Sequence, residues 1–478
     1  MRSPTVISDS VFRAYDIRGI AGRDFDVEGA EIIGRSFANY ILSKNENAKN
    51  IVVGIDGRVT SPGLSKMFIY GILTSGLNVV NIGQTTTPML YFSICEGEFD
   101  GGAVITASHN SKEYNGFKLC SKDAHSISGD EIQELRKISQ KRRFPRVKEM
   151  GEETEGSFLA EYIKKLSSVV DIDSGGKEFV DISDEGSGLK VVIDAGNGVA
   201  GKFAPEILKS FGIEVIELYC YVDGIFPNRD PNCDSAIILK DLSDKVISEE
   251  ADFGIAFDGD GDRLGMVDEK GNFISADKIL FILCKDFLKK KKKNKKIVLD
   301  VSISQVLLNE IKKLKGEAVL SRTGHSFMEQ KMKEESSLLG GEASGHFFFA
   351  DNYFGFDDAM LAALKIIEIF QESGLEKFSY LLQDFPRIFS SGEISIPCSD
   401  ELKFSVVEKV VNFFKDKYNC ITIDGVRIDF GDGSWGLVRA SNTSPKISVR
   451  FEAKTEEKLK KVEEVILSHL KKYRELSF

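Results

Sequence analysis

The chain has 478 residues, of which 42% are hydrophobic, and its 63 basic and 74 acidic residues leave a formal net charge of −11. At roughly 100–150 residues per domain, this length predicts three or four globular domains. The negative charge argues against a broad nucleic-acid interface, which needs clustered cations. The lysine-rich segment 289–296 is expected to be the solvated C-terminus of a helix, not a binding patch.

The cellular compartment is predicted from cysteine usage and hydropathy. The 7 cysteines lie far apart, without metal-ligand spacing, which favours a reducing compartment. The N-terminus has no basic-then-apolar segment, and there is no run of about 18 consecutive apolar residues. We therefore expect a cytoplasmic protein without membrane spans.

Short apolar runs alternate with helical patterns along most of the chain, which is typical of α/β layering with mostly parallel strands. Strands are predicted at 51–55, 79–82, 103–106, 191–193, 214–218, 253–257, 297–301, 318–320 and 347–349, with helices near 303–314, 325–335 and 357–372. After about residue 385 the pattern changes to α+β. There, strands are predicted at 393–396, 421–430, 437–439 and 447–452, and helices at 401–416 and 455–473.

The sequence therefore predicts four domains. Three similar α/β domains with mixed or mostly parallel sheets are expected at 1–150, 151–270 and 271–384, followed by a C-terminal α+β domain at 385–478. The Gly/Asp/Ser-rich segment 171–188 is expected to be an exposed insertion or loop.

The first polar loop, 106–110, reads Thr-Ala-Ser-His-Asn and follows the predicted strand 103–106. Ser108 therefore stands at the carboxyl end of a strand, where open α/β sheets place ligands. A serine there could be a nucleophile or a helix cap. No Gly-x-Ser-x-Gly elbow surrounds it, so a serine hydrolase is not expected.

The segment 258–262 reads Asp-Gly-Asp-Gly-Asp after the apolar strand 253–257. Alternate carboxylates on one turn repel one another, so a divalent cation is their natural partner, although a solvated acidic turn is the alternative. A calcium hand is not expected, because Arg263 takes the position that needs Gly and because 264–267 has the pattern of a second strand. A cation site beside an arginine suggests phosphate chemistry.

Two further polar loops are weak signals in isolation. The loop 341–346 presents Glu342, Ser344 and His346 on alternate residues, which suits a polyol such as a sugar. The loop 439–443 offers a cation, hydroxyls, an amide and backbone N–H groups, which suits a phosphate, with a capped hairpin turn as the alternative.

The glycine-rich turn 196–201 supports a competing hypothesis. It follows the predicted strand 191–193 and has Glu217 about 20 residues later, as a dinucleotide fingerprint requires. The alternative function is therefore an NAD-dependent oxidoreductase. It would leave the other polar loops without a task, and such turns are common in α/β domains.

Taken together, five ordered segments resemble those of the α-D-phosphohexomutase superfamily, most closely its bacterial phosphomannomutase/phosphoglucomutase branch. They are 12–19, 106–110, 258–263, 341–346 and 439–443, and the resemblance covers about residues 10–470. The Gly-Asp-Gly-Asp metal loop and the Glu-x-Ser-Gly-His sugar loop resemble the mannose/glucose branch. Phosphoglucosamine mutases usually carry Ala in the metal loop and Gln in the sugar loop.

The resemblance implies reversible phosphoryl transfer between O1 and O6 of a hexose phosphate, with mannose and/or glucose as the sugar. Ser108 would be carried as phosphoserine, and its phosphate would complete the coordination of Mg²⁺ by Asp258, Asp260 and Asp262. The intermediate would be glucose or mannose 1,6-bisphosphate, which also serves as activator. It must turn end over end so that one serine serves both ends.

The resemblance also implies roles for other residues around one central cleft. Arg263 would stabilise charge on the transferring group, Lys118 and His346 are acid/base candidates, and His109 lies beside the phosphoserine. The implied substrate-binding residues are Tyr15, Arg18, Arg322, His325, Glu342, Ser344, Arg439, Ser441, Asn442 and Thr443. The expected partner is the hexose phosphate, and a monomer or weak homo-oligomer is expected.

Three positions depart from the family pattern. Ser111 stands where the family usually has Pro, Ser302 stands where this branch often has Lys, and 228–231 lacks the usual His. Arg322 or His325 could supply the contact that Ser302 lacks. A sugar-phosphate-binding relative without turnover is a further alternative, against which the intact Ser108 and the three aspartates speak. The preferred hexose, the pathway and the general base do not follow from the sequence.

Overall fold

The structure, a computed structural model, describes residues 7–172 and 188–478. The predicted loop 171–188 lies almost wholly outside the described residues. The chain divides into two compact units: the first holds Met1–Ser275 and Ser344–Leu381, and the second holds Ala276–Ala343 and Leu382–Phe478. Among the described residues no helix is long and apolar enough to cross a membrane.

The first unit begins with a mixed six-stranded sheet of order β1-β5-β4-β2-β3-β6. Its elements are β1 (Ile17–Ile20), α1 (Val27–Lys44), β2 (Asn50–Ile55), α2 (Ser61–Leu73), β3 (Asn78–Gln84), α3 (Thr87–Glu96), β4 (Gly101–Ile105), β5 (Tyr114–Ser121), α4 (Asp130–Lys141), β6 (Glu153–Glu155) and α5 (Leu159–Val169). Strand β2 runs parallel to β3 and β4, whereas β5 is antiparallel to β1 and β4. Between this sheet and helices α1 and α2, the buried rings of Phe37, Phe68 and Phe117 stack on one another.

A second, five-stranded sheet of the first unit has the order β11-β10-β9-β7-β8. Its elements are β7 (Lys190–Asp194), α6 (Ala204–Ser210), β8 (Glu214–Leu218), α7 (Lys240–Ser248), β9 (Phe253–Phe257), β10 (Leu264–Asp268) and β11 (Phe273–Ile274). Strand β7 is parallel to β8 and β9, and β9 is antiparallel to β10. The predicted strand-turn-strand around 258–262 is confirmed.

The second unit opens with parallel strands in the order β13-β12-β14. Its elements are α8 (Ala276–Lys290), β12 (Lys296–Asp300), α9 (Gln305–Lys313), β13 (Glu317–Ser321), α10 (His325–Glu335) and β14 (Leu339–Gly341), while β15 (Phe347–Phe349) and α11 (Ala359–Ser373) belong to the first unit. The lysine-rich segment follows its prediction, since α8 ends at Lys290 and most of these lysines are exposed.

The C-terminal domain is an antiparallel sheet of order β16-β20-β19-β18-β17 covered by two helices. Its elements are β16 (Phe389–Pro397), α12 (Lys403–Lys415), β17 (Asn419–Ile421), β18 (Val426–Asp429), β19 (Trp435–Ala440), β20 (Lys446–Ala453) and α13 (Glu456–Leu470). The single strand predicted at 421–430 is wrong. A turn at Asp424 and Gly425 divides it, and Gly425 has a φ of +70°, which glycine adopts without strain.

The predicted fold class, three α/β domains and a C-terminal α+β domain, is therefore confirmed. Short 3-10 helices occur at Asp9–Val11, Lys122–Ala124, Val199–Lys202 and Phe378–Leu382. Polar loops follow β4, β9, β12, β14 and β19.

Candidate active site

The serine loop makes a strained turn directly after β4. Ser108 is 2% exposed, and its φ of +49° lies in the left-handed region that non-glycine residues rarely adopt. Its backbone N–H donates to Oγ1 of Thr106 over 2.9 Å. The next element is strand β5, so the alternative that Ser108 caps a helix is wrong. Strain of this kind is typical of functional turns.

Two loops of the first unit meet at Ser108. Its Oγ donates to Oδ2 of Asp258 over 2.8 Å and lies 3.1 Å from Nδ1 of His109. The serine loop after β4 and the acidic loop after β9 therefore form one site.

The acidic loop is held by its own first carboxylate. Oδ1 of Asp258 accepts hydrogen bonds of 3.1 Å from the amides of Gly261, Asp262 and Arg263. Oδ2 of Asp260 accepts from Oγ1 of Thr87 over 2.6 Å. These bonds hold the loop as a tight turn between the antiparallel strands β9 and β10. A calcium hand would instead lead into a helix.

The three aspartates of this loop fit a hard divalent cation. Asp258, Asp260 and Asp262 are all 0% exposed, and one ligand oxygen of each lies within 4.8 Å of the others. Among the described residues, Oδ1 of Asp260 is buried without a hydrogen-bond donor. Burial raises the pKa of Asp258 well above its ordinary value, and Asp262 and Asp260 raise it further. A cation would relieve both penalties, since oxygen ligands in a buried acidic set suit Mg²⁺ or Ca²⁺.

Lys118, on β5, lies against this cluster. Its Nζ donates to Oδ2 of Asp260 over 2.8 Å and to Oδ2 of Asp262 at a shorter distance. Burial disfavours the charged form, but the two aspartates outweigh burial and raise the pKa of Lys118 well above its ordinary value. Burial would also raise the pKa of Asp262, but Lys118 and His346 hold it well below its ordinary value. Lys118 is therefore a cation at neutral pH.

Arg263 and the two histidines complete the basic side of the site. Nε of Arg263 donates to Nε2 of His346 over 3.3 Å and lies 4.0 Å from Oδ2 of Asp258. Nδ1 of His346 lies 2.9 Å from Oγ of Ser344, and its Nε2 lies 3.4 Å from Oδ1 of Asp262. Burial lowers the pKa of His109 well below its ordinary value, with Arg263 next in effect, so His109 is neutral at pH 7.

The N-terminal motif reaches the serine loop through Arg18. This residue is 3% exposed, and its Nη1 donates to Oδ1 of Asn110 over 3.0 Å. Its Nη2 donates to Oδ2 of Asp16 over 2.5 Å. Tyr15 is half-buried just before that aspartate.

In the second unit, a hydrogen-bond chain connects several predicted substrate-binding residues. Oε1 of Glu342, which is 1% exposed, accepts from the amide of Gly324 over 2.5 Å. Nδ2 of Asn442 donates to the carbonyl of Thr323 over 3.1 Å. The loop after β13 therefore lies between the sugar loop and the phosphate loop.

The phosphate loop joins β19 to β20. Oγ of Ser441 accepts from the amides of Thr443 and Ser444 over 3.3 and 3.2 Å, so this turn is capped as the alternative expected. Nε of Arg439, which is 7% exposed, donates to Oδ2 of Asp424 over 2.9 Å. A capped turn with a fixed arginine can still receive a phosphate.

The two residues after β13 are placed differently from each other. Arg322 is exposed, and its guanidinium lies over the ring of Phe327, 4.1 Å from the centroid. His325 is the first residue of α10 and is 4% exposed, with Nδ1 3.7 Å from Oε1 of Glu329. The Arg322 guanidinium thus stacks on an aromatic ring.

The glycine-rich turn 196–201 has a packing role in the first unit. The amide of Val199 donates to the carbonyl of Gly259 over 3.2 Å. A Cβ at Gly201 would lie 2.2 Å from the carbonyl oxygen of Cys220. The turn therefore packs against the acidic loop and against the backbone at Cys220, and the amide of Val199, which a dinucleotide-binding turn would direct at a phosphate, is engaged by Gly259.

Several polar residues of these sites were not predicted. Thr87, Asp424 and Asp357, whose Oδ2 lies 3.7 Å from Nε2 of His346, were missed because no motif marks them, although Asp424-Gly425 is a common turn dipeptide. Asp56 and Arg58 directly follow β2, so polar residues at a strand's carboxyl end were the available signal.

A serine and a buried acidic cluster among cations, carried on loops after the strands of α/β sheets, define a phosphoryl-transfer class of site. The chain matches the family descriptions Phosphoglucomutase/phosphomannomutase, alpha/beta/alpha domain I over residues 9–146, domain II over 160–271, domain III over 275–389, and the C-terminal domain over 393–469. The chain belongs to the phosphoglucomutase/phosphomannomutase family.

Relatives cover nearly the whole chain. A phosphomannomutase/phosphoglucomutase of Pseudomonas aeruginosa is 38% identical over 474 residues, with 98% of this chain and 97% of the relative covered. A phosphoglucomutase of Neisseria meningitidis is 37% identical over 460 residues, with 96% of each covered. The crystal structure of a phosphoglucomutase/phosphomannomutase family protein from Burkholderia thailandensis superposes with a TM-score of 0.86 at 32% identity, with 98% of each chain covered.

Proposed function

We propose that this family member is a hexose phosphate mutase that moves a phosphoryl group reversibly between C1 and C6 of mannose and/or glucose phosphates. Ser108 is the proposed phosphoryl carrier. The observation that carries this assignment is the 2.8 Å hydrogen bond from Oγ of Ser108 to Asp258, at the edge of the buried acidic cluster. The names of the Pseudomonas and Neisseria relatives support the choice of sugars.

The proposed reaction uses two transfers. In the first, the phosphorus of phosphorylated Ser108 forms a bond to the free O1 or O6 of the bound hexose phosphate while its bond to Oγ breaks. The attacking hydroxyl gives up its proton to a base, the leaving Oγ of Ser108 takes up a proton, and a hexose 1,6-bisphosphate results. After the bisphosphate turns end over end, the phosphorus of its other phosphate forms a bond to Oγ of Ser108, which gives up its proton to a base. The bond from that phosphorus to the hexose oxygen breaks, and this oxygen takes up a proton to give the product hydroxyl.

The residues of the first unit have proposed roles in both transfers. Arg263 places its guanidinium beside Asp258 and His346, where it can stabilise charge on the transferring group. Lys118, as a cation, can act as an electrostatic stabiliser or as a general acid, and His346 and the neutral His109 can accept a proton. Asp258, Asp260, Asp262 and Ser108 are the proposed Mg²⁺ ligands. Bound Mg²⁺ would supply charge neutralisation for the phosphoryl group.

Substrate recognition is proposed for the remaining polar residues. Glu342 and Ser344 are proposed to bind ring hydroxyls, and Tyr15 and Arg18 to contact the substrate. The phosphate that is not reacting is proposed to bind Arg439, Ser441, Asn442 and Thr443, whose turn supplies cationic, hydroxyl, amide and backbone donors. Arg322 and His325 are proposed as further contacts.

We propose that the chain has four domains with boundaries near residues 150, 270 and 385. In chain order they carry the serine loop, the metal loop, the sugar loop and the phosphate loop. The family matches at 9–146, 160–271, 275–389 and 393–469 support these boundaries. Glucose or mannose 1,6-bisphosphate is the proposed activator, the cytoplasm the proposed compartment, and a monomer or weak homo-oligomer the proposed state.

The test combines intact mass with coupled assays. The purified chain should carry the mass of one phosphate, and Ser108→Ala should lack it. Glucose 1-phosphate, mannose 1-phosphate and glucosamine 1-phosphate should be compared side by side. Turnover of the first two above the third supports the proposal, whereas an unphosphorylated chain without turnover would favour a binding relative. The packed glycine turn speaks against the NAD-dependent alternative.

A further inference from the structure

A buried guanidinium lies beneath the serine loop and contacts four backbone carbonyls, three between β4 and β5 and one at the first residue of β5. Nη2 of Arg58 donates to the carbonyls of Ser108 and Asn110 over 2.7 and 2.6 Å. Its Nη1 donates to the carbonyls of Ser111 and Tyr114 over 2.7 and 3.0 Å. The Arg58 side chain is 0% exposed. One side chain therefore satisfies carbonyls along most of the segment between β4 and β5.

Arg58 is itself anchored to regular structure. Its Nε donates to Oδ2 of Asp56 over 3.0 Å, and Oδ1 of Asp56 accepts from Oγ of Ser61 over 2.7 Å. Asp56 directly follows β2, and Ser61 is the first residue of α2. The ring of Phe226 covers the guanidinium, 5.1 Å from its carbon. The donor fork thus has little freedom to follow a movement of the serine loop.

The serine loop needs such an anchor. Ser108 holds a left-handed backbone conformation, with φ +49°, that persists only when its surroundings enforce it. The loop also carries Ser111 where the family usually has Pro, so no ring fixes the backbone there. The carbonyls of both residues are among the four that Arg58 contacts.

We propose that Arg58 is a positioning residue that holds the Ser108 turn so that Oγ stays directed at Asp258. The proposal rests on the proposed function of Ser108 as phosphoryl carrier. Arg58 acts through backbone carbonyls and is not proposed to touch the substrate. Its loss should therefore lower kcat and leave the substrate KM nearly unchanged.

The guanidinium is essential to this role because of its geometry. Arginine offers five N–H donors in a planar fork, whereas lysine offers three donors at a single point. A lysine at position 58 cannot reach both pairs of carbonyls and the Asp56 carboxylate together. A displacement of about 1 Å at a reacting group can cost about 100-fold in rate.

The experiment compares Arg58→Lys and Asp56→Asn with the wild type and with Tyr162→Phe. Tyr162 is 1% exposed, and its hydroxyl donates to both carboxylate oxygens of Asp358 over 2.9 Å in the same unit. Its substitution removes buried hydrogen bonds without changing the serine loop. kcat, the KM for glucose 1-phosphate, thermal midpoint and phosphorylation by intact mass are measured for each protein.

Arg58→Lys should lower kcat about 100-fold with KM within about threefold, while Tyr162→Phe keeps kcat within about twofold. Asp56→Asn, which leaves the fork but loosens its anchor, should give a smaller loss of kcat, and it decides the question if Arg58→Lys does not fold. A kcat within about threefold of wild type in the folded variant, or a loss confined to KM, would overturn the proposal. An inactive wild type without phosphoserine would instead refute the proposed function.

Discussion

Oδ2 of Asp424 accepts two hydrogen bonds, one of 2.9 Å from Nε of Arg439 and one of 3.2 Å from the amide of Thr323. Asp424 lies in the turn that separates β17 from β18, where the sequence pattern predicted an unbroken strand. One oxygen therefore connects the arginine of the proposed phosphate loop to the loop before α10. The bond to Asp424 fixes the Nε side of the Arg439 guanidinium and thereby its orientation in the proposed phosphate loop.

We expect Asp424→Asn to weaken hexose phosphate binding. The change replaces a charge-assisted hydrogen bond, typically about 1.5–3 kcal/mol, by a neutral one, so Arg439 loses orientation before it binds. The KM for glucose 1-phosphate should rise about tenfold, with a smaller change in kcat. Asp432→Asn is the control, because Asp432 lies on the turn between β18 and β19 and contacts Ser434 and Lys458. It removes the same charge from the same domain at a different turn. Equal KM values for the two variants would show that Asp424 does not orient Arg439.

Ser108→Ala should abolish mutase turnover and preserve substrate binding, because Ser108 is the proposed phosphoryl carrier and is expected to supply little of the affinity. We expect a loss of more than about 1,000-fold in kcat, measured by a coupled assay. Calorimetric Kd values for glucose 1-phosphate should stay within about threefold. Ser111→Ala is the matched control, since Arg58 binds the backbone carbonyl of Ser111 and not its side chain. Turnover of Ser108→Ala within tenfold of wild type would refute its role.

Asp260→Asn should lower the Mg²⁺ affinity and the activity together, since it removes one of three charges in the buried cluster. Thr87 and Lys118 both contact Oδ2 of Asp260, so the loop should remain folded. Treatment with EDTA should abolish activity and added Mg²⁺ should restore it, which a titration of rate against Mg²⁺ measures. The exposed Asp230 provides a control as Asp230→Asn. Full activity in metal-free buffer would contradict the metal assignment.

Local patterns predicted the layers of the fold and the loops that carry chemistry. The loop 258–262 was expected between two strands, and β9 and β10 flank it. The strand predicted at 421–430 was wrong because apolar and polar residues alternate on both sides of the turn dipeptide Asp424-Gly425. The alternation therefore does not reveal that β17 and β18 are separate strands. Gly425 could have been recognised as the break.

Contacts between distant loops could not be predicted in the same way. The hydroxyl of Thr87 donates to Asp260 across 173 positions in sequence, and Arg58 contacts a loop about 50 residues later. Such contacts depend on how two sheets pack within the first unit, and neither hydrophobic periodicity nor spacing carries that information. The family resemblance indicated the residues proposed to contact the substrate and the metal. It did not indicate the side chains, such as Arg58 and Thr87, that hold those residues in place.

The acid stability of the second unit should depend on Glu335. Its carboxylate lies 2.7 Å from Nζ of Lys296 and 2.9 Å from Nζ of Lys331, and these hydrogen bonds lower its pKa to about 2. Because the pKa in the unfolded chain is about 4.3, this stabilisation is fully present above that pH and is lost as the pH falls towards 2.

Glu335→Gln should therefore lower the thermal midpoint at pH 7 by a small amount, because the ion pairs are near the surface. The difference from wild type should shrink as the pH falls below about 4.3. Thermal melts between pH 3 and 7 measure it, and added salt should also reduce the difference at pH 7. A difference that is constant with pH would mean that Glu335 acts through packing instead.

The surroundings of Ser302 concern the proposed intermediate. Ser302 is half-buried after β12, and its amide and hydroxyl both donate to Oδ2 of Asp300, the amide over 3.2 Å. Oγ1 of Thr323 donates to the same oxygen over 2.9 Å. The hydroxyl groups of Ser302 and Thr323 thus contact the Asp300 carboxylate, whereas this branch often carries a lysine at position 302. Arg322, which could replace that lysine, has its guanidinium over the ring of Phe327.

Without that lysine, the proposed bisphosphate intermediate would have one cation fewer to hold it while it turns. A charge-assisted hydrogen bond is typically worth about 1.5–3 kcal/mol, so release of the intermediate should be about 10- to 100-fold easier and activity should depend strongly on added glucose 1,6-bisphosphate. Ser302→Lys should reduce this dependence, whereas the neutral Ser302→Gln should not. Steady-state rates with and without added bisphosphate decide it. Equal activator dependence in Ser302→Lys and wild type would show that position 302 does not hold the intermediate.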